Sequence, residues 1–536
     1  MKLRLPDRLT VYAEGWKASP AVRELINEKD VEIGLALAEN LRITLKAETS
    51  RPKYLFLRWN FREDEKRCES VKILGDAYER GYGDLAWRGI EAERIMPWYM
   101  LVSNGSDMSD GVSGRLTEGF GVKTQPAAAV TWQYDAAGVT MWADVRNGGS
   151  GVKLAGRTLD VCEVIFGTYP DMTAFDAGRK FAKAMCPRAK LPDHPVYGSN
   201  NWYYAYGVSS HEEILGDSKI VAEECAGIEN LPYMVIDDGW QKNSTDAPWT
   251  GGNEKFPDMK RLASEMKEIG VRPGSWIRYL TDQKREIPDC PAEWRLSRDE
   301  KYLDPSHPGV INYVKETTKR LVDWGYTLIK HDYSFVDVFG KYGRYITEQV
   351  TEDGWHFYDE TRTSMEITLD FYKAVKEAAG EDTVIIGCNT ISHLCAGLYE
   401  LNRTGDDTSG REWDRTRMMG VNTLAMRMIQ NGIFYMDDAD CVGIMGPVPW
   451  EMNREWLDLL SRSGSPLFVS CKPGILTESQ MEELKAAWKV NSVQKNQMRP
   501  LDWMETTTPS VWEIDGEKVI YNWYPEEGTM SFVPQI

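Results

Sequence analysis

The chain has no Cys-x-x-Cys pair, no long apolar run and no glycine-rich phosphate loop, and each absence removes a class of protein. Its nine cysteines, at 68, 162, 186, 225, 290, 388, 395, 441 and 471, are odd in number and scattered, a pattern of reduced thiols rather than of a disulfide framework or zinc site. No stretch approaches membrane-spanning length, and Met1-Lys2-Leu3-Arg4-Leu5-Pro6-Asp7-Arg8 lacks the apolar core of a secretory signal, so a cytoplasmic location is expected. Basic residues are in deficit. A net charge of −19, spread along the chain, argues against nucleic acid and anionic membrane surfaces as partners. The aspartates have no spaced His or Glu partner set, so neither a metal nor an organic cofactor is expected. Oligomeric state leaves no readable mark.

What the chain does have is length and aromatic surface. Its 536 residues allow roughly two to four domains. Aromatics make up 11%, with 20 Trp and 25 Tyr; flat apolar rings pack against the C–H faces of sugars, and they also fill large cores.

Residues 1–192 read as a β-sandwich domain with its linker. Short alternating runs such as Lys53-Tyr54-Leu55-Phe56-Leu57-Arg58-Trp59 are separated by Gly, Asn and Asp clusters. A helical segment from Asp171 to Met185 leads into a proline-rich linker, Pro187 to Pro195. Over residues 193–497 the period changes to strand, helix, strand, helix. Ser210-x-x-Glu213 opens one helix, and helices are predicted over Met259–Ile269, Val310–Trp324, about 415–430, Glu451–Ser461 and about Glu478–Val490. Eight strand candidates predict a (β/α)8 TIM barrel, whose function gathers at the C-terminal ends of the strands. Residues 498–536 form a small C-terminal β-segment, in which Asp515-Gly516 between two alternating runs predicts a hairpin packed on the barrel. The fold class is thus α/β, a central barrel flanked by two β-domains.

The most informative strand is Tyr326-Thr327-Leu328-Ile329-Lys330-His331-Asp332-Tyr333. Alternation puts Lys330 and Asp332 on one face and Ile329 and His331 on the other. An ammonium beside a carboxylate keeps it ionised, which suits a nucleophile better than a proton donor. Glycoside cleavage needs such a carboxylate and a second one able to protonate the leaving oxygen. Asp406 and Asp407 are the candidates for the second; parity places Asp407 on the side of Arg403. A general acid beside a cation needs burial or another carboxylate to raise its pKa again.

Six phrases carry a resemblance. Val235-Ile236-Asp237-Asp238, Gly270-Val271-Arg272-Pro273-Gly274-Ser275-Trp276, Ile329-Lys330-His331-Asp332, Ile386-Gly387-Cys388, Arg403-Thr404-Gly405-Asp406-Asp407 and Met436-Asp437-Asp438-Ala439-Asp440-Cys441 resemble, in order and spacing, the motifs of family 36 glycoside hydrolases, the bacterial α-galactosidases. The resemblance covers roughly residues 196 to 471. It implies an N-terminal β-supersandwich, a barrel, a small C-terminal β-domain and a retaining double displacement on a small α-galactoside. Asp332 falls on the nucleophile and Asp407 on the acid/base. Asp237 and Asp238 fall on the carboxylates for the 4- and 6-hydroxyls, and Trp202, Trp276, Lys330, Cys388 and Arg403 on other sugar-binding positions. Asp76-Ala77-Tyr78-Glu79-Arg80 in the first domain also resembles larger members.

The chain departs from the pattern at Ser199-Asn200-Asn201-Trp202, at Trp276-Ile277-Arg278-Tyr279, at Asn389 after Cys388 and at His331. Arg278 near the mouth is expected to favour a polar or anionic aglycone. Alternatives are a transglycosylase that passes galactose to a sugar acceptor, an α-glycosidase of different sugar specificity, and a non-catalytic carbohydrate-binding protein, which would be expected to lose one of the two carboxylates.

Overall fold

In strands such as Leu41–Ala47, every second side chain is buried, Leu41, Ile43, Leu45 and Ala47 pointing one way, because successive residues of a strand face opposite sides. This alternation builds two antiparallel sheets, of six and seven strands, from the first part of the chain. Their inner faces meet through large rings. Trp59 and Trp132 of one sheet stack at 6.2 Å, and both pack edge-on against Phe166 of the other, at 5.3 and 6.1 Å. The computed structural model describes residues 1–65, 71–109, 111–243, 245–493 and 498–524, so Cys68 lies outside the described residues. The eight described cysteines carry no disulfide.

Beyond the linker, the strands read from sequence are present as short, fully buried runs. Tyr197–Asn200, Tyr233–Ile236, Leu328–His331 and Val384–Gly387 have no exposed position, as strands covered on both faces require. With Arg272–Ile277, Leu401–Arg403, Met436–Asp438, Cys441–Ile444 and Leu467–Cys471 they form one curled sheet in which every pairing is parallel. The two edge strands of this sheet, Met436–Asp438 and Cys441–Ile444, are consecutive in the chain, separated only by Ala439 and Asp440. Asp440 makes that corner with φ +68°.

The helices between the strands begin and end where the chain offers capping groups. Ser210 and Asp258 accept hydrogen bonds from the backbone N–H three residues on, Thr363 and Thr477 form reciprocal capping boxes, and Gly270 and Gly325 end their helices in the left-handed conformation. One helix differs from expectation. The methionine-rich segment is Trp413–Thr416, a π-helical turn over Arg417–Asn422, then Thr423–Arg427. The wide turn sets the Met419 carbonyl against Gly405, where a Cβ would lie 2.0 Å from it.

The C-terminal β-segment is a three-stranded sheet, Met498–Pro500, Val511–Ile514 and Glu517–Ile520. Asp515 and Gly516 turn the hairpin with φ +52° and +84°, the pair of positive angles a two-residue turn needs. The last strand stops at Ile520; beyond it Tyr521 stacks on Trp523 at 5.0 Å and its hydroxyl donates to Asp458 of a neighbouring helix. Asn422 joins all three parts: its amide donates to the Leu85 carbonyl at 2.7 Å and the Thr507 carbonyl at 2.6 Å.

Candidate active site

The C-terminal ends of the parallel strands gather three polar groupings. In the first, Lys330 donates to Asp237 at 2.7 Å, and Asn200 donates to the same oxygen at 2.8 Å. Lys330 thus makes its direct ion pair with Asp237, not with Asp332, its neighbour by strand parity. The Asp238 N–H donates to the other Asp237 oxygen at 2.9 Å, and Asp238 is held by the Gln241 amide and the Thr245 N–H. Burial pushes the Asp238 carboxyl upward against the Gln241 hydrogen bond.

The second grouping surrounds Asp332. Trp276 donates from its indole to one Asp332 oxygen at 3.1 Å, and the Tyr333 N–H donates to the other at 2.7 Å. Burial alone would raise this carboxyl. The charges of Lys330 and Arg80, with those two hydrogen bonds, outweigh it and hold Asp332 below the usual carboxylate range.

The third is centred on Arg403, which is 1% exposed and lies among three carboxylates: Asp407 at 3.2 Å, Asp438 at 3.4 Å and Asp440 at 2.6 Å. Asp440 is further held by the Tyr203 hydroxyl and by the Thr408 N–H at 2.8 Å. Asp407 is half-buried, its side chain 37% exposed. Enclosure raises its carboxyl and Asp440 adds to the rise. Arg403, Arg80 and Lys330 oppose it, and the net direction is upward.

Arg80 belongs to the sandwich domain and was not among the residues predicted for the site. Its segment docks on the curled sheet by backbone pairing: the Gly81 N–H donates to the Thr404 carbonyl at 2.7 Å and the Asp406 N–H to the Gly81 carbonyl at 3.0 Å. Gly405 sits inside this contact with no room for a side chain. Arg80 then pairs with Asp406 at 2.9 Å and approaches the Cys388 sulfur at 3.9 Å. Arg415 holds the other side of Asp406 at 2.9 Å. Cys388 is buried among Arg403, Asp332, Lys330 and Arg80, and burial pushes its thiol well up.

Of the predicted residues, Trp276 and Asp332 touch, as do Lys330 and Asp237, and Arg403 and Asp407; Asp238 adjoins Asp237, and Cys388 lies between the cations. Trp202 opens a short helix at the rim, its N–H held by Asn200 at 2.8 Å and its ring edge-on to Tyr206 at 5.3 Å. Asn200, Tyr203, Asp438 and Asp440 were missed as site residues. The two aspartates were already visible in the last motif, Asp438 closing its strand and Asp440 at the left-handed corner that follows.

The departures from the family pattern have physical accounts. Asn200 is a partner of Asp237. Asn389 donates to the buried Glu79 and receives the Val336 N–H at 3.0 Å, tying the sandwich segment to the sheet. His331 faces outward, fully buried beside Tyr279, Phe371 and Tyr399, and burial lowers it to about 3, so it is neutral. The expectation for Arg278 is corrected: it makes a two-pronged ion pair with buried Asp337, at 2.9 and 2.6 Å, so its charge is already matched. Among the described residues no group of three or more His, Cys, Asp or Glu is placed to hold a metal ion. A cavity of about 800 Å³ lined by Arg179, Met436 and Arg499 lies at the opposite, N-terminal end of the strands, so chemistry and not volume marks the site.

No family model matches the chain. The α-galactosidase mel1 of Schizosaccharomyces pombe is 25% identical over 146 residues, a match spanning 26% of this chain and only 29% of that protein. The fold is similar to that of TtGalA, an α-galactosidase from Thermus thermophilus solved with p-nitrophenyl α-D-galactopyranoside, with a TM-score of 0.59 at 16% identity over 92% of this chain and 97% of that one. It is also similar to the galactosidase domain of the α-galactosidase–sucrose kinase AgaSK, with a TM-score of 0.57 at 14% identity over 87% of this chain and 67% of that one. The likeness at these identities is one of fold.

Proposed function

We propose that the chain is an α-galactosidase-like glycoside hydrolase of the family 36 type, that its curled sheet is a (β/α)8 barrel, and that it removes terminal α-galactosyl residues with retention. The observation that carries this reading is that two carboxyls at the C-terminal ends of one parallel sheet have different partners: Asp332 accepts from the Trp276 indole and the Tyr333 N–H, while Asp407 pairs with Arg403. The directions of the two carboxyls, down for Asp332 and up for Asp407, agree with that difference. Two carboxyls pushed apart in this way are suited to two different tasks. Asp332, ionised, attacks the anomeric carbon as the bond to the leaving oxygen breaks, and Asp407 passes its proton to that oxygen. The galactosyl ester of Asp332 is then attacked by a water whose proton returns to Asp407, which restores both groups and leaves the α-anomer.

Asp237 and Asp238, pinned by Lys330, Asn200 and Gln241, are assigned to the axial 4-hydroxyl and the 6-hydroxyl. A sugar without that geometry leaves buried carboxylates unpaired, a discrimination of ~1–3 kcal/mol for each lost partner. Cytoplasmic action on small galactosides belongs to the same proposal. The test is turnover of a panel of aryl α-glycosides, with NMR of the first-formed sugar. Preference for the α-galactoside and initial release of the α-anomer are expected. Initial release of the β-anomer would remove retention, and faster turnover of the α-glucoside would remove galactose while leaving a glycosidase.

A further inference from the structure

Tyr333 immediately follows Asp332, and its backbone is left-handed, φ +63°, a strained conformation for a residue with a side chain. The surroundings enforce it: its N–H is bound by Asp332, its carbonyl by the Asp337 N–H at 2.9 Å, and the next turn by the Asn389 carbonyl, which accepts from the Phe335 N–H at 2.9 Å. The result is a tyrosine, 37% exposed, immediately beside the Asp332 carboxyl.

That ring is also braced. The Arg278 guanidinium lies 4.1 Å from its centroid, locked there by the ion pair with Asp337, and the Trp276 ring meets it edge-on at 6.2 Å. Trp276 donates to Asp332 as well, so one indole fixes both the carboxylate and the tyrosine. A cation behind an aromatic face, itself neutralised and buried, serves no ion pair with a ligand; it holds the ring's orientation.

From this geometry we infer that Tyr333 is the platform of a leaving-group subsite: its exposed ring stacks on the pyranose or aryl group attached to the galactosyl unit, with Arg278 as the positioning residue behind it. The inference rests on the proposed function and deepens it, since it assigns the outer half of the substrate. Exposed, rigid aromatic surface next to a nucleophile offers contact area at small conformational cost, and it selects a ring over a small leaving group.

The experiment compares two substrates in the full chain. One is an α-1,6-linked galactosyl glucose, whose leaving group is a pyranose; the other is α-galactosyl fluoride, whose leaving group has no ring. Tyr333→Gly removes the platform and relieves the left-handed strain, so folding is favoured. The ratio of kcat/KM for the disaccharide to that for the fluoride is expected to fall about tenfold, chiefly through KM. Tyr333→Phe is expected to keep the wild-type ratio, and Arg278→Met to lower it by a smaller factor. An unchanged ratio in Tyr333→Gly would overturn the inference, because the residue would then act on Asp332 or the galactosyl unit alone. A Tyr333→Phe ratio as low as that of Tyr333→Gly would overturn it too, by assigning the effect to the hydroxyl. Failure of the wild type on both substrates is the separate outcome in which the proposed function falls and takes the subsite with it.

Discussion

Arg80 reaches from the sandwich domain to within 2.9 Å of Asp406, and with Arg415 on the other side it occupies that carboxylate fully. Of the two adjacent aspartates Asp407 is the one that pairs with Arg403, and its carboxyl is raised. Asp407→Gly is therefore expected to spare an aryl galactoside with a good leaving group far more than a natural disaccharide, by about 10²–10⁴-fold, the range of general acid catalysis. Asp406→Gly is expected to lose both substrates to a similar degree. Steady-state kinetics on the pair would refute the assignment if the two variants exchanged behaviours.

The pH profile follows from the same charges. With the proposed roles, Asp332 ionised and Asp407 protonated, kcat/KM is expected to rise as pH climbs through the lowered Asp332 value and to fall as it climbs through the raised Asp407 value. Arg80 lowers both carboxyls, so Arg80→Met is expected to move both limbs toward higher pH. A variant whose limbs stay put, or shift down, would show that Arg80 does not act on this pocket.

Gly405 has no room for a methyl group: an added Cβ would lie 2.0 Å from the Met419 carbonyl and 2.6 Å from the Thr423 hydroxyl. Gly405→Ala is expected to destabilise the fold by about 1–3 kcal/mol, the cost of overpacking, and to lower kcat by displacing Asp407. Thermal melts with parallel rate measurements check it. Unchanged melting would mean that the π-helical turn yields easily.

His331 should make the protein acid-sensitive. Its folded value is lowered to about 3, against an ordinary value near 6.5, so the unfolded chain takes up a proton that the folded one refuses. Stability is therefore lost as pH falls from about 6.5 toward 3, with a ceiling of roughly 5 kcal/mol from this group. His331→Phe, on the same outward face, is expected to flatten the dependence of melting temperature on pH in that window. A slope equal to wild type would assign the acid sensitivity elsewhere.

Local rules carried far into the chain. The parity of Lys330 and Asp332 follows from strand geometry, the Asp515-Gly516 turn from its two positive φ angles, and the starts of the helices from Ser210, Thr363 and Thr477. What could not be read shares one property, distance along the chain. Arg80 meets Asp406 across more than 300 positions, Asn200 meets Asp237 across a helix, and Arg278 finds Asp337 on the short helix Ser334–Phe339 that follows another strand. Periodicity records which way a residue faces and not which residue comes to meet it. Arg278 shows the cost: alone it reads as a cation open to ligands, and only its partner reveals a brace.

The Asn422 amide, divided between the Leu85 and Thr507 carbonyls, bears on how the molecule comes apart. Opening either contact strips a buried polar group of its partner, so neither β-domain can detach without disturbing the π-helical turn against Gly405. The sandwich, the parallel sheet and the C-terminal hairpin therefore share one cooperative unit at this point, and heating is expected to give a single calorimetric endotherm in which catalysis and all three layers disappear at the same temperature.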